Sequence, residues 1–308
     1  MEKFEIIDAH AHIFKIIYGF GPRGESTPIG KGTVRWANGE TTKLLPEEYG
    51  DASFPYEILI KAMDDAGVDK AVLLQGSYYG FDNEYVHEAQ RKYPERLIGM
   101  GTFDPYCLDW QTIMHRLIDE LHFRGFKFEI SSANGLMGYH PDFRIDGERM
   151  QPIYKYCAER GLTISLDLGT FEEDSFQVAG VARMAQKYPE IPFVIEHLFF
   201  PRQDHFKEVR ENLELVRDYP NVNVSLATVP FSTWPEKYPF PSACRYITLA
   251  KEVLGVERLL WGTDIPSVVV YSPYRDLARY IQEADILSPE EQRLVFSGNA
   301  RRVYRIVD

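Results

Sequence analysis

The sequence predicts an α/β fold, a closed (β/α)8 TIM barrel, from three observations. Eight short β-rich apolar runs follow one another along the chain, and amphipathic helical patterns separate them. Neither GxGxxG after the first run nor GxxxxGK[ST] anywhere supplies the phosphate cradle of a nucleotide-binding open sheet. Repeated βα units favour a parallel sheet, and eight of them in 308 residues favour closure over an open doubly wound sheet, the alternative.

The expected strands are EIIDAH (5–10), KAVLLQ (70–75), LIGMGTF (97–103), FRGFKFEI (123–130), LTISLDL (162–168), PFVIEHL (192–198), VNVSLAT (222–228) and RLLWGTD (258–264). Between them YEILIKAMDDAG, NEYVHEAQRKYP, MQPIYKYCAERG and FKEVRENLELVRDYP carry apolar residues at helical spacing and close on Gly or Pro. One connection, from about 15 to 54, far exceeds the usual few residues of a βα loop. Within it TVRWANGETTKLL alternates about Asn38-Gly39, which predicts a β-hairpin with a type I′ turn. This insertion leaves the C-terminal end of the first strand, so it is expected over the barrel mouth, as a lid or an oligomer contact. No repeat, low-complexity tract or composition shift divides the chain, and residues 1–308 are read as one domain.

With 44% hydrophobic and 26% charged residues the chain has the composition of a globular protein. Its 34 Lys and Arg against 46 Asp and Glu leave a net charge of -12, which disfavours nucleic acid and anionic membranes as partners. A small organic acid remains a possible substrate, because a few cations in one pocket reverse the local field. Cys107, Cys157 and Cys244 are odd in number and far apart, which fits a reducing cytoplasm. No basic-then-apolar leader opens the sequence and no 18-residue apolar run crosses it. A homo-oligomer is left open.

Polar residues at strand ends carry the functional reading. His10 and His12 lie two apart on the first strand and therefore share a face, with Asp8 one step below them. Such a pair can bind one divalent ion; two hydrogen-bonded histidines is the other reading. Four more strands also end in ionisable groups, namely Lys127 and Glu129, Asp167, His197 and Asp264. A buried charge costs several kcal/mol unless paired or ligated, so five such ends converging in one barrel point to a functional cluster.

DAHAH, RGFKFEI, IEHL, WGTDIP and FSGNARRVYRI, in this order, resemble the amidohydrolase-related family, the branch of aminocarboxymuconate-semialdehyde decarboxylase, γ-resorcylate decarboxylase and the pyrone-dicarboxylate lactonases. The resemblance runs over the whole chain. It implies a metal-dependent hydrolase type of barrel, with at most one metal held by His10, His12, a fifth-strand residue and Asp264, and with His197 as acid or base. Asp167 stands where most metal-binding relatives have histidine. A carboxylate there is compatible with one divalent ion, zinc or manganese; a metal-free site, as described for the pyrone-dicarboxylate lactonases, is the alternative. Lys127 is a candidate for a substrate carboxylate, or for a salt bridge to Glu129 or Asp167. Arg202 and His140, on connections expected at the mouth, are further substrate-binding candidates. Trp36, Tyr78, Tyr79, Trp234 and Tyr271 are candidate pocket walls, and His87, His115, His122 and His205 are read as structural or solvated.

The expected activity is hydrolysis of a small carboxylated lactone, ester or amide, with Asp264 relaying the proton of the attacking water. Non-oxidative decarboxylation of an aromatic or muconate-type acid is the alternative, and a non-catalytic binding barrel the second.

Overall fold

The computed structural model describes residues 4–47 and 53–307; residues 48–52 of the insertion lie outside the described residues. Four of its strands, β2 (Phe20–Gly21), β3 (Gly24–Gly30), β4 (Thr33–Trp36) and β5 (Thr41–Lys43), belong to the insertion. The barrel is made by β1 (Ile7–Ala11), β6 (Lys70–Leu73), β7 (Leu97–Gly99), β8 (Gly125–Glu129), β9 (Thr163–Asp167), β10 (Phe193–Ile195), β11 (Val222–Ser225) and β12 (Leu259–Leu260). Seven fall inside one of the eight expected runs, and β1 extends one residue, Ala11, beyond its run of 5–10. A helix follows every barrel strand, from Tyr56–Ala66 to Tyr274–Glu283. Two of these helices end where the sequence places a glycine, at Gly67 and Gly161, whose positive φ of 75° and 60° suits the left-handed C-terminal cap.

All barrel pairings are parallel, in a three-stranded sheet β1-β6-β7 and a five-stranded sheet β8-β9-β10-β11-β12. Two short seams close them into a barrel. Between β7 and β8, Gly101 bridges to Phe126, with Gly101 N–H to the Gly125 carbonyl and Lys127 N–H to the Gly101 carbonyl, both at 2.9 Å. Between β12 and β1, Ala9 N–H donates to Trp261 O (3.0 Å), Asp264 N–H to His10 O (2.7 Å) and His12 N–H to Ile265 O (2.9 Å). Strand alternation then divides the side chains. Phe126, Phe128, Ile164, Leu166, Phe193, Ile195, Val222 and Val224 pack outward in the main core, while Lys127, Glu129, Ser165, Asp167, Asn223 and Ser225 occupy the opposite phase.

β1 departs from the expected alternation. Asp8 pairs with Ala71 but Ala11 with Leu73, so β1 has one extra residue, a β-bulge. Ile7 and Ala9 join the inner apolar cluster with Val72, Leu74, Ile98, Met100, Val194 and Leu260, and His10 and His12 also face inward. Asp8 therefore does not sit beneath the histidines on their face. It faces the start of the last barrel helix, where Oδ2 accepts from Thr263 Oγ1 (2.6 Å) and Tyr274 OH (2.8 Å) and Oδ1 from the N–H groups of Thr263 and His10, both at 3.0 Å. Burial pushes its carboxyl up to about 6 despite these four donors.

The insertion is a four-stranded antiparallel meander, β2-β3-β4-β5. The hairpin expected about Asn38-Gly39 is present as β4–β5, but its turn is not type I′. Trp36 N–H bonds Glu40 O across a three-residue loop, and of that loop only Gly39 has positive φ, at 91°. Type I′ would need Asn38 there as well; a turn closed by a left-handed glycine is the next commonest hairpin connection. Reciprocal 3.0 Å bonds between Phe14 and Phe54 pin the base of the insertion. Phe20 N–H to Ser77 O (2.7 Å) and Arg23 Nη2 to Asn134 Oδ1 (3.2 Å) tie it to loops after β6 and β8. Among the described residues no helix is long and apolar enough to cross a membrane.

Asp8 is a structural clamp, and two variants separate its charge from its hydrogen bonds. Asp8→Ala orphans buried donors and is expected to cost about 2–4 kcal/mol in urea unfolding. Asp8→Asn keeps the Oδ1 acceptor and faces its amide to two hydroxyls that can rotate to accept, so it should cost less than about 1 kcal/mol. Equal losses in the two variants would contradict the clamp.

Candidate active site

The β1 bulge and Gly262 together bring the histidines to the centre of the mouth. A Cβ on Gly262 would meet His10 Cβ and N at 3.0 Å, so glycine leaves the room His10 occupies. His10 Nε2 and His12 Nε2 are 3.1 Å apart, and Asp264 Oδ1 lies 3.4 Å and 2.8 Å from them. Asp264 sits at φ 69°, and Ser267 Oγ donates to its Oδ2 at 2.8 Å.

His12 Nδ1 lies 2.9 Å from the Leu74 carbonyl, which only accepts, so Nδ1 carries the proton. Burial holds His12 below the ordinary imidazole value, and its Nε2 is then a bare lone pair facing the Asp264 carboxylate. Two acceptors in contact call for a cation between them. His10 adds a third donor atom: with Glu196 ionised, Nδ1–H donates to Glu196 Oε2 at 2.7 Å, which leaves Nε2 free. Burial likewise holds His10 well below its ordinary value and raises Glu196 above its own. A tetrahedral ion with bonds of about 2.0–2.1 Å spaces neighbouring donors by about 3.3 Å. The observed 2.8–3.4 Å brackets that spacing, so His10, His12 and Asp264 fit one divalent ion.

Asp167, expected as a ligand, is not part of this triplet. Its Oδ2 lies 3.8 Å from His197 Nε2 and its Oδ1 accepts from Gly169 N–H at 3.0 Å. His197 reaches the centre by an unusual path. Glu196 follows Val194 inward, so plain alternation would send His197 outward. Instead His197, Leu198, Phe199 and Phe200 are all left-handed, with φ from 46° to 68°. Each such residue costs about 1–2 kcal/mol, a local strain typical of functional sites. The turn places the His197 ring 4.8 Å from that of His10 and its Nδ1 3.0 Å from Thr228 Oγ1.

Above this centre lies a cavity of about 290 Å³. His12, Lys127, Asp167, His197 and Asp264 line it, as do Thr42, Lys43 and Leu44 of the insertion. Lys127 is 3% exposed and makes no hydrogen bond or ion pair among the described residues, so the salt bridge to Glu129 or Asp167, the alternative reading, is absent. Burial pushes Glu129 up to about 7, with Lys127 opposing and Asp167 adding to the shift; its Oε2 accepts from Tyr78 N–H at 2.9 Å. Tyr78, Tyr79 and Tyr271 line the walls, whereas Trp36 and Trp234 do not.

Two substrate-binding candidates lie outside the cavity lining. Arg202 points to solvent and pairs with Glu172 at 3.5 Å, because the left-handed turn carries the chain away before it. His140 bonds Asp104 at 2.9 Å and stacks on Tyr106 at 4.1 Å. Sequence reasoning missed Glu196, Thr228 and Ser267 as supports of the site. For Glu196 a signal existed, since it shares the inward phase of Val194; for the other two no sequence pattern marks them.

The amidohydrolase family profile matches residues 7–306. Among solved structures, a probable 2-pyrone-4,6-dicarboxylic acid hydrolase from Acinetobacter baumannii with citric acid bound is similar at a TM-score of 0.72 and 16% identity, over 98% of this chain and 100% of that one. An amidohydrolase from Burkholderia multivorans with bound zinc gives 0.70 and 15% over 99% and 100%. At these identities the likeness shows the fold. The 4-sulfomuconolactone hydrolase of Rhizobium radiobacter is 23% identical over 295 residues, 87% of each protein. Two other curated relatives are matched over only 50% and 44% of their own length, so the chain spans about half of them. With nearly every described residue inside the family profile, and a barrel closed over an inward His-x-His and aspartate, the chain belongs to the amidohydrolase family.

Proposed function

We propose that the protein hydrolyses a lactone, or a related ester or amide, of a small carboxylated organic acid. One observation carries the reading: Asp264 Oδ1 stands 2.8 Å from His12 Nε2, at the floor of a cavity that also holds a buried lysine with no ion pair among the described residues. Likeness to a protein named as a muconolactone hydrolase supports a lactone.

His10, His12 and Asp264 would hold one divalent ion, zinc or manganese, which supplies a Lewis acid that polarises the substrate carbonyl and acidifies an attacking water. Asp264 accepts the proton of that water as its oxygen bonds to the carbonyl carbon. Ser267 keeps the carboxylate turned by holding Oδ2, which leaves Oδ1 for the reacting centre. As the ring C–O bond breaks, Asp264 returns the proton to the departing oxygen, so water is consumed and an acid and an alcohol are formed. Thr228 donates to His197 Nδ1 and Asp167 faces Nε2, an arrangement that keeps the His197 proton on Nε2, aimed at the developing oxyanion. Asp167 on this reading orients His197 rather than ligating. Lys127 takes the substrate carboxylate, the partner it lacks in the free protein.

Asp264→Asn should lower kcat for a muconolactone-type substrate by about 100-fold or more with an unchanged circular dichroism spectrum; full activity would end the proton-relay role. Dialysis against a chelator should abolish turnover and added zinc or manganese should restore it, and activity that persists in metal-analysed apoprotein would favour the metal-free alternative. Lys127→Met should raise KM about 10-fold or more for a carboxylated lactone but little for the same lactone without its carboxylate. Carbon dioxide release from a hydroxybenzoate, without lactone hydrolysis, would replace the hydrolase reading by the decarboxylase one.

A further inference from the structure

At the opposite end of the barrel from the mouth, a cavity of about 580 Å³ opens beside the N-terminal ends of β7 and β8. His87, Gln90 and Arg91 line it from the helix Asn83–Lys92, and Glu120, His122 and Arg124 from the turn that enters β8. Both histidines are among the four that the sequence alone reads as structural or solvated.

The charge balance here is unlike the rest of the molecule. The chain has 12 more acidic than basic side chains, and its arginines are almost all engaged by carboxylates, carbonyls or rings. Among the described residues, only Arg35, Arg91 and Arg124 of the 21 arginines have side chains without such a partner. Two of those three line this one cavity. The lining carboxylate, Glu120, is already held by Arg116 at 3.2 Å, so it does not neutralise them. In a protein of net charge -12, two unengaged guanidinium groups at one concavity form a local positive field.

The walls are fixed by the seam between β7 and β8. Here pairing between β7 and β8 shrinks to the Gly101–Phe126 bridge and an Arg124 N–H to Gly99 O bond of 3.1 Å. Phe123 packs where a Cβ on Gly99 would stand, at 2.5 Å. Gln90 spans the gap, donating to Leu121 O at 2.6 Å and accepting from Gly99 N–H at 3.0 Å, and His87 Nδ1 lies 3.0 Å from the same Leu121 carbonyl. Arg91 and Arg124 thus rise from backbone held in place on both sides of the opening.

We infer that this cavity is an anion-binding site, separate from the active site, for a small phosphorylated metabolite held by Arg91 and Arg124. A guanidinium presents planar forked donors that match phosphate oxygens, and a phosphate dianion satisfies two of them together. The volume lies within the range of small-molecule sites and leaves space beside the phosphate for a compact organic body. A polyanion such as nucleic acid is disfavoured by the acidic remainder of the surface.

Isothermal titration of the full chain with glycerol 3-phosphate, and with inorganic phosphate, tests the site. Saturable binding of one equivalent is expected. The double variant Arg91→Ala, Arg124→Ala should weaken it about 10-fold or more, with unfolding temperature and lactone hydrolysis unchanged. Lys127→Met should leave it intact, which distinguishes this site from phosphate entering the active-site cavity. Absence of saturable binding, or binding lost in Lys127→Met and kept in the double arginine variant, would overturn the inference. Because neither arginine touches the reaction centre, either result leaves the proposed hydrolysis to stand or fall on its own tests.

Discussion

Three backbone hydrogen bonds join β12 to β1, and the arrangement of the reaction centre depends on where they fall. One of them runs from Asp264 N–H to His10 O, so the carboxylate and the imidazole are delivered by the same peptide contact that closes the barrel. Asp8, with four donors on a buried carboxylate, locks this seam from its outer side. A residue of slip in the seam would move Asp264 along the rim and turn its side chain to the other face. Closure and catalysis therefore share one constraint, as expected where residues distant in sequence meet only through the barrel.

Around that seam the structure accepts local strain and buried charge in return for geometry. Four consecutive left-handed residues after β10 are costly, yet they turn His197 inward immediately after the inward Glu196. Glu196 in turn fixes His10 through Nδ1, and the Leu74 carbonyl fixes His12 in the same way. The two Nε2 atoms are thereby left facing Asp264, a donor set that could hold a divalent ion. Lys127 is the complementary case, a buried cation that makes no ion pair among the described residues of the cavity wall. The insertion completes that wall with Thr42, Lys43 and Leu44, and the bonds that dock it to the loops after β6 and β8 make it a fixed part of the cavity.

Much of this was legible in the residues. Strand periodicity and helix stops located all eight barrel strands, and the ionisable residues at the strand ends did gather at one mouth. Where the reading went astray, a local rule was overridden by a contact from elsewhere. Asp8 left the histidine face because a bulge in β1 broke the period of two. Asp167 fell beside His197 instead of within the triplet, because His197 approaches from a left-handed turn that no propensity predicts. Arg202, just after that turn, was carried out to solvent by it.

The sequence by itself determined the alternation of strands and helices, the acidic surface that disfavours nucleic acid, and the set of polar side chains available at the barrel mouth. Those properties follow from composition and from short-range periodicity, which act within a few residues. The tertiary structure decided which of those side chains face one another, which nitrogen of each histidine is free, and which arginines are left without partners. These outcomes depend on seam register, on a single bulge and on hydrogen bonds between residues as far apart as Asp8 and Tyr274, and such long-range choices are made only when the barrel closes.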